Sequence, residues 1–168
     1  IFAIDIGNSE TNVGVGNSTK WESYRYTTRK TITSDELLMM FKTTIDLSKL
    51  NDKAVDGVIV CSVVPQITDS VVSAISEFTT KDVLVVGPGI KTGLKVNIDN
   101  PKELGPDRIA NSVGGFKKTN KEVVIVDLGT ATTFDVVNSN KEYLACMHST
   151  VTPLGHAVCL VVTVQCIA

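Results

Sequence analysis

The sequence predicts an α/β protein with a mixed central sheet, and three observations point to it. An apolar strand runs into a sharp polar turn and a second strand within Ile1–Gly16. Strand-like and helix-like periodicities then alternate along the chain. The opening pattern also returns near residue 123, as an internal repeat.

Taken in order, Ile1 to Ile4 is a continuous apolar run, suited to a buried strand, and Asp5 closes it. Gly7 permits a close backbone approach. Asn8, Ser9 and Thr11 supply short polar groups around the turn. Trp21 to Thr28 extends the sheet, with Trp21, Tyr24 and Tyr26 favouring a strand. Thr33 and Glu36 stand at capping-box spacing ahead of Leu37, Phe41 and Ile45, which predicts an amphipathic helix to about Asp46. Val58–Cys61 reads as a short buried strand, with Cys61 as a core thiol. Ser62–Pro65 breaks that strand and leads into a helix whose inner face is Ile67, Val71, Ile75 and Phe78. Val83–Val86 is a further strand, closed by Gly87-Pro88-Gly89. Residues 87–106 lack periodicity and suit a substrate loop. Pro106 at a helix N1 position starts the next helix, with Ile109, Ala110, Val113 and Phe116 expected inward.

Composition narrows the function. Hydrophobic residues make up 43% and charged residues 20% of 168, which is globular. That length fits one ordinary domain or two small lobes. A formal net charge of −2 argues against a broad nucleic-acid surface. No apolar run reaches the ~20 residues of a spanning helix, and no secretory leader is visible. Neither nucleic acid nor a membrane is therefore expected as a partner. The four cysteines, Cys61, Cys146, Cys159 and Cys166, match no zinc spacing.

The repeat carries the chemistry. Val123-Val-Ile-Val-Asp127-Leu-Gly129-Thr130-Ala-Thr132-Thr133 lays Asp127 over Asp5, Gly129 over Gly7 and Thr133 over Thr11. Two D-x-G-x-x-x-T turns after apolar strands imply two related half-domains with a nucleotide between them. Neither a Walker loop nor a dinucleotide fingerprint is present. In this reading both turns hold the triphosphate. Asn8, Ser9, Thr11, Thr130, Thr132 and Thr133 are donors to phosphate oxygens, and Asp5 and Asp127 organise Mg2+ or a monovalent cation. Asp107, in the first turn of its helix, is either a helix-start residue favoured by the dipole and free N–H groups or the acceptor of a hydroxyl proton, and the planar fork of Arg108 suits a substrate carboxylate.

With Gly105-Pro-Asp107-Arg108-Ile-Ala-Asn111 between the two turns, and Asn100-Pro101 before it, the chain resembles the type III pantothenate kinases. These belong to the acetate kinase, sugar kinase, Hsp70 and actin superfamily. The resemblance covers about residues 1–144. It implies an actin-like (ribonuclease H-like) ATPase lobe and ATP-dependent phosphorylation of pantothenate, the first step towards coenzyme A. It implies Asp107 as general base, Arg108 and Gly105 at pantothenate, Asp5 at the first phosphate motif and Asp127 at K+ or NH4+. It also implies a cytoplasmic homodimer. Residues 1–120 would form the first lobe and 121–168 the start of the second.

Three departures stand out. Glu10 replaces a more usual neutral residue and is expected to face solvent. Ile98 stands where many members carry tyrosine. After Leu144 the chain loses its charged residues and concentrates cysteine and histidine. That tail reads as a frame change or degenerate gene end, which would leave the second lobe incomplete and the 168-residue chain inactive. The competing reading is a noncatalytic regulatory protein on the same fold. A third, another superfamily sugar kinase or phosphatase, fits the G-x-D-R element poorly. Cys146, His148, Cys159 and Cys166 do not have convincing metal-site spacing. Val158–Val164 reads as a strand or an aggregation-prone segment.

Overall fold

The computed structural model describes residues 1–48, 55–128, 132–149 and 158–162, with side chains as far as residue 144. Two compact units divide the chain, 1–86 and 87–168.

In the first unit, β1 (Phe2–Ile6) and β2 (Glu10–Gly16) form a tight antiparallel hairpin, and β3 (Trp21–Thr27) adds to β2. On the other side β1 pairs in parallel with β4 (Val58–Ser62), and β4 with β5 (Val83–Val85). The order is β3-β2-β1-β4-β5. The sheet is mixed as expected, with two antiparallel and two parallel pairings. Asp5 lies inside β1 rather than at its end, because Ile6 still pairs with Thr11. Phe2, Ile4 and Ile6 alternate with Ala3 and Asp5, so one face of the strand is core and Asp5 is exposed on the other.

Two helices cover that core face. Helix α1 (Ser34–Leu47) starts at the predicted capping box, with Thr33 and Glu36 each bonding the other's backbone N–H. Helix α2 (Pro65–Ser76) buries Ile67, Val71, Ala74 and Ile75. Phe2 meets Phe41 and Phe78 edge to face at 5.4 and 5.8 Å. Burying each ring contributes about 1.5–3 kcal/mol.

The second unit also holds five strands, in the order β10-β7-β8-β9-β6. Its strands are β6 (Lys95–Val96), β7 (Val123–Leu128), β8 (Thr132–Val137), β9 (Glu142–Ser149) and β10 (Val158–Val162). Helix α3 (Pro106–Thr119) packs on β7 and β8 and ends on Asn120 in the left-handed conformation. Its inner face is Ile109, Ser112, Gly115 and Phe116; Ala110, expected inward, is exposed. The four buried positions recur at three- and four-residue steps, and residue 110 falls outside that stripe. Because α3 packs on β7 and β8, it belongs to the second unit. Part of the divergent tail forms β10, which pairs antiparallel with β7.

Candidate active site

In the first unit the β1–β2 turn is tied down by threonines. Gly7 N–H donates to Glu10 O at 2.9 Å, and a Cβ on Gly7 would press on that same oxygen. Thr28 Oγ1 donates to Gly7 O at 2.8 Å, and its backbone N–H donates to Ser9 O at 2.9 Å. Thr28 has one hydroxyl proton, so in the 2.8 Å contact between Thr11 and Thr28 it is Thr11 that donates. Thr11, 6% exposed and with its proton on Thr28, braces the turn. Asp5, Asn8 and Ser9 are exposed. Glu10 does not turn to solvent. It lies half-buried with Oε2 3.4 Å from Arg25 Nε, because Glu10 and Arg25 are diagonal neighbours on one face of β2 and β3.

The second unit gathers the acidic and basic groups. Gly105 is the N-cap of α3, and a Cβ there would collide with the Asp107 carboxylate. Glycine is thus what lets Asp107 fold back over the helix start. Asn111, one turn on, donates from Nδ2 to Asp127 Oδ2 at 2.8 Å. Burial pushes the Asp127 carboxyl above the ordinary carboxylate range. The Asn111 bond opposes that shift, the negative charge of Asp107 adds to it, and Arg108 opposes it. Thr133 faces Asp127 across the β7–β8 pair, and Thr132 faces Leu128. Gly129 and Thr130 lie outside the described residues.

Arg108 does meet a carboxylate, but an internal one. Its Nε donates to Asp135 Oδ1 at 2.9 Å, Nη2 lies 2.8 Å from the same oxygen as an ion pair, and Nη2 donates to Phe134 O at 3.3 Å. Tyr143 Oη donates to the same Asp135 oxygen at 2.5 Å. Asp135 is 0% exposed and Arg108 12%. Burial pushes the Asp135 carboxyl up, with Tyr143 and Arg108 pulling the other way. Asp135 and Tyr143 were not singled out from sequence. The available signal was an aspartate in the alternating Thr-Phe-Asp-Val-Val run, on the strand face that also carries Thr133 and Val137.

The two D-x-G hairpins, equivalent in sequence, differ by one residue in register. Asp5 pairs with Asn12, while Asp127 pairs with Thr133. Their faces differ too. Asp5 is opposite the buried residues of β1, whereas Asp127 shares a face with Val123 and Ile125, under α3. Asp107, Arg108 and Asp127 are therefore brought together in one unit, and the first turn, in the other unit, is exposed. Among the described residues no group of three or more His, Cys, Asp or Glu forms a metal cage. The Cys146, His148, Cys159 and Cys166 set lies outside the described side chains.

Comparison with known proteins fits this layout. The model of the type III pantothenate kinase family matches residues 1–147. A type III pantothenate kinase from Pelobacter propionicus is 42% identical over 144 residues, 85% of this chain and 57% of the relative. One from Syntrophotalea carbinolica is 38% identical over 144 residues, with 85% and 56% covered. The chain thus spans little more than half the length of these relatives. A solved structure described as a candidate 2-dehydro-3-deoxygalactonokinase from Sinorhizobium meliloti superposes with a TM-score of 0.53 at 13% identity, covering 88% of this chain and 52% of that one. That likeness bears on fold alone and supports the actin-like, sugar-kinase type of α/β lobe. With a family match over residues 1–147 and the G-x-D-R helix set against the second D-x-G strand, the chain belongs to the type III pantothenate kinase family.

Proposed function

We propose that the protein transfers the γ-phosphoryl group of ATP to the primary hydroxyl of pantothenate, giving 4'-phosphopantothenate and ADP. The observation that carries this reading is the convergence of Asp107, Arg108 and Asn111, from one end of α3, on the strands bearing Asp127 and Asp135. Asp107 accepts the hydroxyl proton; a loose, dissociative transfer needs no strong base. Arg108, held from below by Asp135, presents a cation to the pantothenate carboxylate, with Gly105 leaving room beside it. The exposed β1–β2 turn, through Gly7, Asn8 and Ser9, serves phosphate oxygens, and Thr11 keeps that turn in shape. Thr132 and Thr133, with Gly129 and Thr130, take the same part in the second motif.

A Mg2+ ion would use Asp5 together with phosphate oxygens, and K+ or NH4+ would use Asp127, supplying charge neutralisation on the triphosphate. The donor set fits: magnesium in such sites keeps several waters and takes one or two carboxylates rather than an all-protein cage. We assign the protein to the cytoplasm and to a homodimer on the strength of the family alone. No helix among the described residues is long and apolar enough to cross a membrane.

The test is turnover by the protein at its natural length, with ATP, Mg2+, K+ and pantothenate. Phosphopantothenate should form, and Asp107→Asn should lower kcat by about 10²–10⁴-fold, with ATP affinity held. No product from the unsubstituted protein would refute the function. Near-normal turnover in the variant would remove Asp107 as the base.

A further inference from the structure

Asp135 is a buried charge to which no step of the transfer has yet given a task. Its Oδ1 accepts from Arg108 Nε and Tyr143 and is ion-paired with Arg108 Nη2, while Oδ2 is buried without a hydrogen-bond partner among the described residues. For folding alone this is a poor choice. A buried polar atom left unsatisfied costs about 1–3 kcal/mol, and a buried ion pair is often no better than an apolar replacement. What the arrangement does give is orientation. Two nitrogens on one edge of the guanidinium are fixed on Asp135, and Nη2 is also held by Phe134 O, so the plane of the Arg108 fork is set.

The strand geometry serves the same contact. From Thr132↔Ser149 to Val136↔Ala145, β8 and β9 pair in regular register; then Val137 pairs with Tyr143, and Leu144 is the extra residue of a bulge. In unbroken register Val137 would face residue 144, and Tyr143 would point to the other side of the sheet. The bulge turns Tyr143 onto the face of Asp135, where it is fully buried.

We propose that Asp135 and Tyr143 are positioning residues, which lock the Arg108 guanidinium in the orientation that receives the carboxylate of the acceptor substrate. This rests on the reading of Arg108 as the carboxylate-binding group. The test uses Asp135→Asn and Tyr143→Phe in the protein at natural length. Each should raise KM for pantothenate about tenfold, with KM for ATP within about twofold, as expected when a charged hydrogen bond loses its alignment. With the analogue in which a primary alcohol replaces the carboxylate, the same variants should show no added penalty. An equal penalty for both acceptors, an unchanged pantothenate KM, or failure of both variants to fold would overturn the proposal and leave the cluster a packing device. If the unsubstituted protein neither binds nor phosphorylates pantothenate, the function reading has failed instead. Hydrogen exchange at the Arg108 Nε–H then decides the lock separately: faster exchange in both variants upholds it, unchanged exchange overturns it.

Discussion

Arg108 is anchored along one edge, and lysine has no such edge. Arg108→Lys keeps the charge but loses the paired contacts with Asp135, so we expect pantothenate affinity to fall by about 1–3 kcal/mol, read by calorimetric titration. A titration that superimposes on that of the unsubstituted protein would take Arg108 out of the substrate site. Asp127 makes a different prediction. Its carboxyl is pushed up by burial, so the folded protein holds that proton more tightly than the unfolded chain does. The stability it contributes is present at low pH and is lost as pH rises through the raised value. Asp127→Asn keeps an acceptor for Asn111 and removes the charge. It should therefore raise Tm at pH 7, with the gain fading towards about pH 4, where the native carboxyl is also neutral. Thermal melts at the two pH values check this, and a lower Tm at pH 7 would mean that Asp127 is stabilised by a charge outside its described neighbours.

At the scale of elements, the first turn depends on one threonine that the repeat does not contain. Thr28→Val removes the donor to Gly7 O and the acceptor for Thr11, leaving two part-buried polar groups unsatisfied. We expect a loss of about 1–3 kcal/mol in the urea unfolding free energy; an unchanged midpoint would show that water replaces the hydroxyl. The same hairpin marks where sequence reading works and where it stops. Helix α1 was legible because Thr33 and Glu36 are local signals, and α3 because Pro106 fixes a start. The repeat was legible as chemistry, since aspartate, glycine and threonine recur at one spacing. Its register was not, because a one-residue offset between Asp5↔Asn12 and Asp127↔Thr133 depends on how each loop closes. Asp135 and Tyr143 escaped for a related reason: their meeting depends on an extra residue in a strand, and neither the periodicity nor any spacing rule encodes that.

For the whole molecule, the division between units falls at Val86 and Gly87, and the chain beyond it runs through Gly89 and Gly93, both at positive φ, with Lys91 exposed between them. Each unit has its own five-stranded sheet, with α1 and α2 in the first and α3 in the second. A tryptic cut at Lys91 should therefore leave the far-ultraviolet circular dichroism of the nicked protein unchanged. Loss of that signal on cutting would show that the units do not hold their structure separately. The family match ends at residue 147, inside β9, close to where the composition changes. The bulge at Leu144 sits at that junction, 40% exposed. Upstream of it, Glu142 is bound to Lys95 and Asn138, and Tyr143 to Asp135. Downstream, the strand pairs with β8 through backbone groups that any sequence supplies. The extra residue therefore works as slack in a line: Tyr143 keeps its grip on Asp135 while the strand beyond Leu144 holds its own register against β8.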